Sequence, residues 1–329
     1  MTFTLAIAQF EAYPLFFYTV TAVFGLLIGS FLNVVIYRLP IMMERSWHEG
    51  AHTYLQEKLQ EKLPEKSSDK HHEKLDEKRH EQLHEHLHEQ CHEQMPPTSQ
   101  AQEPFNLVVP RSRCPHCNTL ITAWQNIPVI SYLVLRGRCH TCQTRISPRY
   151  PLTEAACGIV TVLCAWQFGV SWEFLAACVF SWYLIAATLI DYDHHLLPDS
   201  LTLPLMWMGL LIATVPVFVS VETAVLGAAF GYVSLWCVFW LFKLLTGKDG
   251  MGYGDFKLLA ALGAWCGWQS LPAIIMLSSL VGAIVGIGLI ILCGRDRSKP
   301  IPFGPFLATA GWLYFMNPSF FDVAKWLFF

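Results

Sequence analysis

Four cysteines stand in two pairs, Cys114-Pro115-His116-Cys117 and Cys139-His140-Thr141-Cys142, with 21 residues between them. Each CxxC places two thiolates on one ion in a tight turn, and two such knuckles complete a tetrahedral four-sulfur site. The spacing is slightly longer than in common zinc ribbons but reachable. Four thiolates leave no open position for activating water, so the ion, read as Zn2+, has a structural role. Residues 105–151 are too few for a large core, and a bound metal supplies the missing folding energy. His116 and His140 lie inside the knuckles and shape the turns. A pair of disulfides is the competing reading, and it fails if this segment faces a reducing cytoplasm. The other cysteines (157, 164, 178, 237, 266 and 293) lie in or beside apolar stretches and read as small fillers, and Cys91 belongs to a repeat.

The second chemical feature is a set of carboxylates at the ends of apolar runs. Asp191, Asp193 and Asp199 lie in IDYDHHLLPDSLTLP, residues 190–204, and Asp255 lies in GMGYGDFK, residues 250–257. Acidic residues near a bilayer are expensive and mark function, though capping and turn formation account for many of them. Pro198-Asp199-Ser200 reads as a turn feeding the next apolar run, which favours a structural Asp199. Asp255 follows Gly250, Gly252 and Gly254, a stretch that lets another backbone approach closely. It then sits near a helix N-terminus, which favours an anion. Two carboxylates with split proton affinities hold a water between them, one acting as base and one as acid. Asp255 with a partner from the 190–204 loop would be such a pair.

The elements that must carry these groups are set by composition. Of 329 residues, 53% are hydrophobic and 14% charged. Residues 44–95 hold 21 of the 47 charged residues and 9 of the 13 His; the other 277 residues are about 9% charged, against about 25% in soluble domains. So apolar a chain cannot cover a water-facing surface, which excludes a soluble enzyme, an extracellular disulfide domain and a disordered protein. The net charge of −3 gives no sign of a nucleic-acid partner. The expected fold is an all-α polytopic membrane protein of about eight spans, at 14–37, 152–170, 173–190, 201–219, 223–243, 256–268, 272–293 and 302–321. The sixth is short and glycine-bearing, and is either tilted or partly re-entrant. No small-residue cleavage site follows the first, so it is a lasting anchor. With the N-terminus outside, the inner loops and their helix ends collect 21 of the 22 Lys and Arg, all but Lys325. This orientation places 38–151, and both groups of chemistry-bearing residues, in the cytoplasm.

Four domains are expected: 1–43 with the first span, 44–104 as an insert, 105–151 as the four-cysteine domain, and 152–329 as a seven-helix membrane core. The insert contains ten tetrapeptides running from Leu55 to Gln94, beginning LQEK-LQEK-LPEK. Each repeat drifts about 40° around a helix, so the leucines never form a fixed apolar face. A solvated helix broken at Pro64, or a disordered tract, is expected. His80, His84, His88 and His92 stand at i, i+4 and would suit a shared metal; a neutral surface expansion is the plainer account. Gly25 and Gly29 in the first span suit close helix packing. Asn33 and Arg38 nearby would contact either cofactor and substrate or neighbouring helices.

GSFLNVVIYRLP at 29–40, the two CxxC pairs, IDYDHHLLPD at 190–199 and GYGDFKLLAALGAW at 252–265 together resemble the type IV prepilin leader peptidases. These are bifunctional inner-membrane enzymes of pilus assembly and type II secretion, within the GxGD group of intramembrane aspartyl proteases. The resemblance covers nearly the whole chain except about 44–100. It implies cleavage of the basic leader of prepilins and pseudopilins after a glycine at the cytoplasmic face. It also implies methylation of the new N-terminal amine with S-adenosylmethionine. It further implies that Asp191 and Asp255 are the catalytic pair and that Cys114, Cys117, Cys139 and Cys142 bind zinc in a loop tied to methyl transfer. A substrate with an apolar helix after its leader lies in the bilayer, so its protease must act at the membrane edge, where both aspartates are expected.

Three other readings are weaker. A divalent-metal transporter would explain a His-rich loop, but it needs ligands near the bilayer midplane, and none of the 13 His lies inside an expected span. A serine protease built on Ser30 lacks an intramembrane His partner. A zinc-ribbon scaffold leaves the glycine-flanked Asp255 unexplained.

Overall fold

The computed structural model describes residues 10, 12–62, 105–248, 250–294 and 301–319. It is all-helical, with no strand among the described residues. Each of the eight apolar runs becomes a helix: α1 (Pro14–Lys62), α3 (Arg149–Phe168), α4 (Trp172–His194), α5 (Asp199–Ala213), α6 (Val221–Thr246), α7 (Tyr253–Cys266), α8 (Leu271–Cys293) and α9 (Gly304–Met316). A short helix, α2 (Ile130–Val134), lies in the cysteine-bearing segment.

The ends of these helices follow from local chemistry. Ser171 and Ser220 accept hydrogen bonds from Phe174 N–H and Thr223 N–H at the starts of α4 and α6. Gly247 and Gly294 close α6 and α8 with φ of 70° and 61°, a conformation that costs glycine nothing. His195 ends α4 at φ 52°, and its N–H donates to the Asp191 carbonyl. Asp191 is thereby fixed in the last turn of α4.

Among the described residues, five helices are long and apolar enough to cross a membrane: α1, α3, α4, α6 and the Trp268–Leu292 stretch around α8. The remaining three are 15, 14 and 13 residues long. At about 1.5 Å per residue they reach about 20–22 Å, short of a hydrocarbon core of about 30 Å. Their caps stop them early: the Gly267 turn ends α7, and Gly304-Pro305 delays the start of α9.

The chain divides into two compact units, one of residues 1–40 with 112–329 and one of residues 41–111. In the second, the Arg45 guanidinium lies 4.4 Å from the Phe105 ring centroid, and Asn106 Oδ1 accepts the Val108 and Val109 N–H groups at 2.8 Å. The repeat beyond Lys62, with its i, i+4 histidines, lies outside the described residues.

At the centre of the first unit is α7. Every residue from Asp255 to Trp265 except Lys257 is buried, against α5, α6 and α9. So small a helix is enclosed because its neighbours carry glycine. A Cβ on Gly227 of α6 would strike the Gly263 carbonyl of α7, so the two backbones touch. Trp265 caps the packing: its indole N–H donates to the Leu205 carbonyl at 2.8 Å, and its ring lies 4.9 Å from that of Phe180. Across the bundle, Gly25 and Gly29 let α1 lie against Thr161, Gly158, Glu154 and Cys157 of α3.

Candidate functional site

Asp191 leaves the last turn of α4, and Asp255 opens α7 as its third residue. Both are buried, at 5% and 7% exposure. That burial is unusual for carboxylates without a cation, and it separates this pair from their neighbours. Asp193 is taken up by Arg149, whose Nη1 donates to its Oδ1 at 2.7 Å. Asp199 is half in solvent and pairs with Lys257 at 2.6 Å. Of the three carboxylates in the 190–204 loop, only Asp191 is withdrawn from water and free of a salt bridge among the described residues.

The two buried carboxylates lie within electrostatic reach of each other. Asp191 Oδ2 accepts the Gly304 N–H at 3.0 Å. Asp255 Oδ1 is fully buried and has no hydrogen-bond partner among the described residues. Such an atom costs about 1–3 kcal/mol if it stays unsatisfied, so it marks a place where a donor binds. Leu197, in the turn after α4, ties the site together. A Cβ on Gly254 would lie 2.6 Å from Leu197 Cβ, and one on Gly304 3.1 Å from Leu197 Cδ1. The glycine before Asp255 is thus needed for close approach, as the sequence suggests. Gly252 has open space around it, and Gly250 faces the Phe242 ring. Two neighbouring carboxylates under apolar cover can share a proton and orient a water for hydrolysis.

The four knuckle cysteines converge. Their sulfurs all lie within 4.8 Å of one another, with Cys114–Cys142 at 3.8 Å and Cys117–Cys139 at 4.0 Å. The knuckles repeat one local design. In each, the N–H of the first cysteine donates to the carbonyl of a threonine five residues on, Thr119 or Thr144. The residue after the second cysteine, Asn118 or Gln143, takes a positive φ of 55° or 58°. An isolated antiparallel bridge then closes each turn, Arg113 with Leu120 and Arg138 with Arg145. Each threonine hydroxyl also meets the second thiol of its knuckle, at 3.2 and 3.3 Å. The Thr144 hydroxyl, followed by its N–H, pulls Cys142 down to about 6, so its thiolate forms readily. The group has the donor chemistry of a metal site, and no other His, Cys, Asp or Glu cluster among the described residues matches it.

Two polar features of the site escape sequence reasoning. Gly304 is one; Pro302-Phe303-Gly304-Pro305 before the last apolar run was its only signal. The other is Glu154, 9% exposed on α3. Its Oε2 accepts the Val129 N–H at 2.8 Å. Asn33 Nδ2 donates to the Tyr150 carbonyl at 3.1 Å. Asn33 therefore serves helix–helix bonding between α1 and α3, and Glu154 latches the cysteine-bearing segment to α3. Cys157, Cys164 and Cys178 are buried fillers, as expected, whereas Cys237 is exposed.

The family model described as the Bacterial Peptidase A24 N-terminal domain matches residues 23–168, and that of the Type IV leader peptidase family matches 178–287. A protein of Stutzerimonas stutzeri named prepilin leader peptidase/N-methyltransferase is 49% identical over 300 residues, covering 91% of this chain and 90% of its own. Proteins of the same name from Aeromonas hydrophila and Neisseria gonorrhoeae are 50% and 45% identical, over 91% and 93% of this chain and 90% and 92% of theirs. No solved structure matches. With both family models matched in order along the chain, and such identity over nine-tenths of its length, the chain belongs to the type IV leader peptidase family.

Proposed function

We propose that this chain is a membrane-embedded prepilin leader peptidase and N-methyltransferase, with Asp191 and Asp255 as its proteolytic pair. The observation that carries the reading is that two buried carboxylates, 64 positions apart in sequence and each at a helix end, lie within electrostatic reach of each other, with Asp255 Oδ1 unpartnered among the described residues. In hydrolysis one carboxylate takes a proton from water as its oxygen attacks the scissile carbonyl. The other donates a proton to the carbonyl oxygen, and the departing amine is protonated as the C–N bond breaks. The pair titrates as a unit.

The four cysteines hold one zinc ion. A tetrahedron with Zn–S of about 2.3 Å has edges of about 3.8 Å, which the 3.8 and 4.0 Å sulfur separations fit. The metal's contribution is to fold the loop around it. S-adenosylmethionine, when bound, would supply an electrophilic methyl group for the neutral N-terminal amine left by cleavage, giving the methylated ammonium and S-adenosylhomocysteine. The substrates are prepilins and pseudopilins, and the leader is cut at the cytoplasmic side of the inner membrane.

The layout supporting this chemistry is 1–43 as the first span, 44–104 as an insert, 105–151 as the zinc domain, and 152–329 as the protease core. The five long helices cross the membrane, and the three short ones, each together with its flanking residues, make the remaining crossings of an eight-span layout with the N-terminus periplasmic. The distribution of Lys and Arg supports that orientation. A zinc transporter finds no support: among the described residues the group able to hold a metal is the four knuckle cysteines, which lie in a loop and not mid-span.

The deciding experiment is cleavage of a synthetic prepilin leader by detergent-purified protein. Asp191→Asn and Asp255→Asn each reduce cleavage at least about 10³-fold, since each removes one proton carrier, while zinc content stays at one per chain. Asp193→Asn keeps cleavage within about threefold of wild type. Cleavage surviving either of the first two substitutions would refute the pair.

A further inference from the structure

The aspartate pair has a third supporting part, which comes from the start of α9. Gly304 is far from both aspartates in sequence, 113 residues after Asp191. Yet its N–H is the group that holds Asp191 Oδ2, at 3.0 Å. A Cβ built on Gly304 would stand 2.5 Å from that same oxygen and 3.2 Å from Asp191 Cγ. The residue therefore gives the carboxylate a donor and, by having no side chain, gives it room. Leu197 leans on Gly304 from one side and on Gly254 from the other, so the turn after α4, the glycine before Asp255 and the start of α9 are in register.

We propose that Gly304 is a positioning residue of the protease. Its backbone N–H fixes the plane of the Asp191 carboxylate by binding Oδ2, leaving Oδ1 to face the water shared with Asp255. The inference rests on the two-aspartate reading and goes beyond it by assigning α9 a part in the chemistry. Four features of the geometry support it. One carboxylate is held and the other has a buried oxygen without a partner, so the site is asymmetric before substrate arrives. The donor is backbone, which no side-chain motion can withdraw. It is also the first N–H of a 13-residue helix, one of the donors no helix satisfies internally. Pro305 follows it and Phe303 precedes it with φ −91°, so the position of the N–H is set by a stiff turn.

The test is the kinetics of leader cleavage by the full chain in detergent. Gly304→Ala pushes the Asp191 carboxylate aside, and kcat is expected to fall about 100-fold. KM stays within about threefold, because substrate binding does not pass through the Asp191 plane. Gly288→Ala, at a helical glycine with nothing within 4 Å, keeps wild-type kinetics. Methylation of a pre-cleaved peptide by Gly304→Ala reports that the chain has folded. If that too is lost, glycolic acid installed at 304 replaces the N–H with an oxygen and adds no atom. This change is expected to lower kcat at least tenfold. Wild-type kcat in Gly304→Ala, or in the glycolic-acid variant, overturns the proposal, as does a rise in KM with kcat unchanged. Asp191→Asn run beside them separates the two ideas. If Asp191→Asn still cleaves, the aspartate pair itself has failed; if it is dead and Gly304→Ala is normal, only the positioning role has failed.

Discussion

At the scale of single residues, the chain sorts its carboxylates and thiols by what touches them. Asp193 and Asp199 are matched by Arg149 and Lys257 and stay near water, while Asp191 and Asp255 are buried without a salt bridge among the described residues, with His195 within electrostatic reach of Asp191. The knuckle threonines do a comparable sorting of the thiols. The Cys142 thiol donates to the Thr144 hydroxyl at 3.3 Å; once its proton leaves, the hydroxyl donates to the thiolate, and it is the first cause of the lowering to about 6. The sign follows directly: a donor to sulfur stabilises the thiolate, so fewer protons compete with the metal at neutral pH. In metal-stripped protein, alkylation of Cys142 by iodoacetamide should therefore rise through a midpoint near pH 6. Thr144→Val keeps the shape and removes the hydroxyl, and the midpoint should move up toward that of an ordinary thiol, about 8.5. Peptide mass spectrometry across a pH series reads both. An unchanged midpoint in Thr144→Val would show that the backbone alone sets it.

At the scale of elements, the site depends on helices that pack backbone to backbone. Gly227 of α6 touches Gly263 of α7, and neither main chain can yield as a side chain would. Gly227→Ala should destabilise by about 1–3 kcal/mol, in spite of the helix propensity that alanine gains, up to about 1 kcal/mol. Gly288→Ala meets nothing and should show only the gain. The two thermal midpoints in one detergent check this: Gly227→Ala must fall below wild type and Gly288→Ala must not. These packing details also mark the limit of what the sequence discloses. The eight helices were legible because apolar runs and charge breaks are local signals. The knuckles were legible because a metal site repeats its own short pattern, down to the threonine two residues after each second cysteine. The shortness of α7 was legible in its brief, glycine-bearing run; that of α5 and α9 was not, since an apolar run continues past the cap that ends its helix. Nor was Gly304, whose importance lies in a contact with a residue 113 positions away. Choosing Asp191 among three candidate aspartates needed the family resemblance; burial and the two ion pairs now favour it independently.

At the scale of the whole molecule, the residues that build the site all fall in one of the two units of the chain. Both aspartates, Gly304, Leu197, Glu154 and the four cysteines belong to the unit of residues 1–40 and 112–329. The tetrapeptides rotate their leucines around any helix they form and specify no packing face. Their loss should therefore cost the protease unit nothing in contacts. Shortening a connecting loop changes its closure entropy by only about 0.6 kcal/mol per halving, in the favourable direction. Deleting residues 63–94 should then leave leader cleavage and peptide methylation within about threefold of wild type. The zinc content should stay at one per chain, because the insert's four spaced histidines are not needed to fill the cysteine site. Metal analysis of the purified deletion variant, beside its two activities, checks all three. A variant that still cleaves but binds fewer ions would assign a second metal to the repeat. One that loses cleavage would place the repeat within the working enzyme, against the division of the chain argued from its packing.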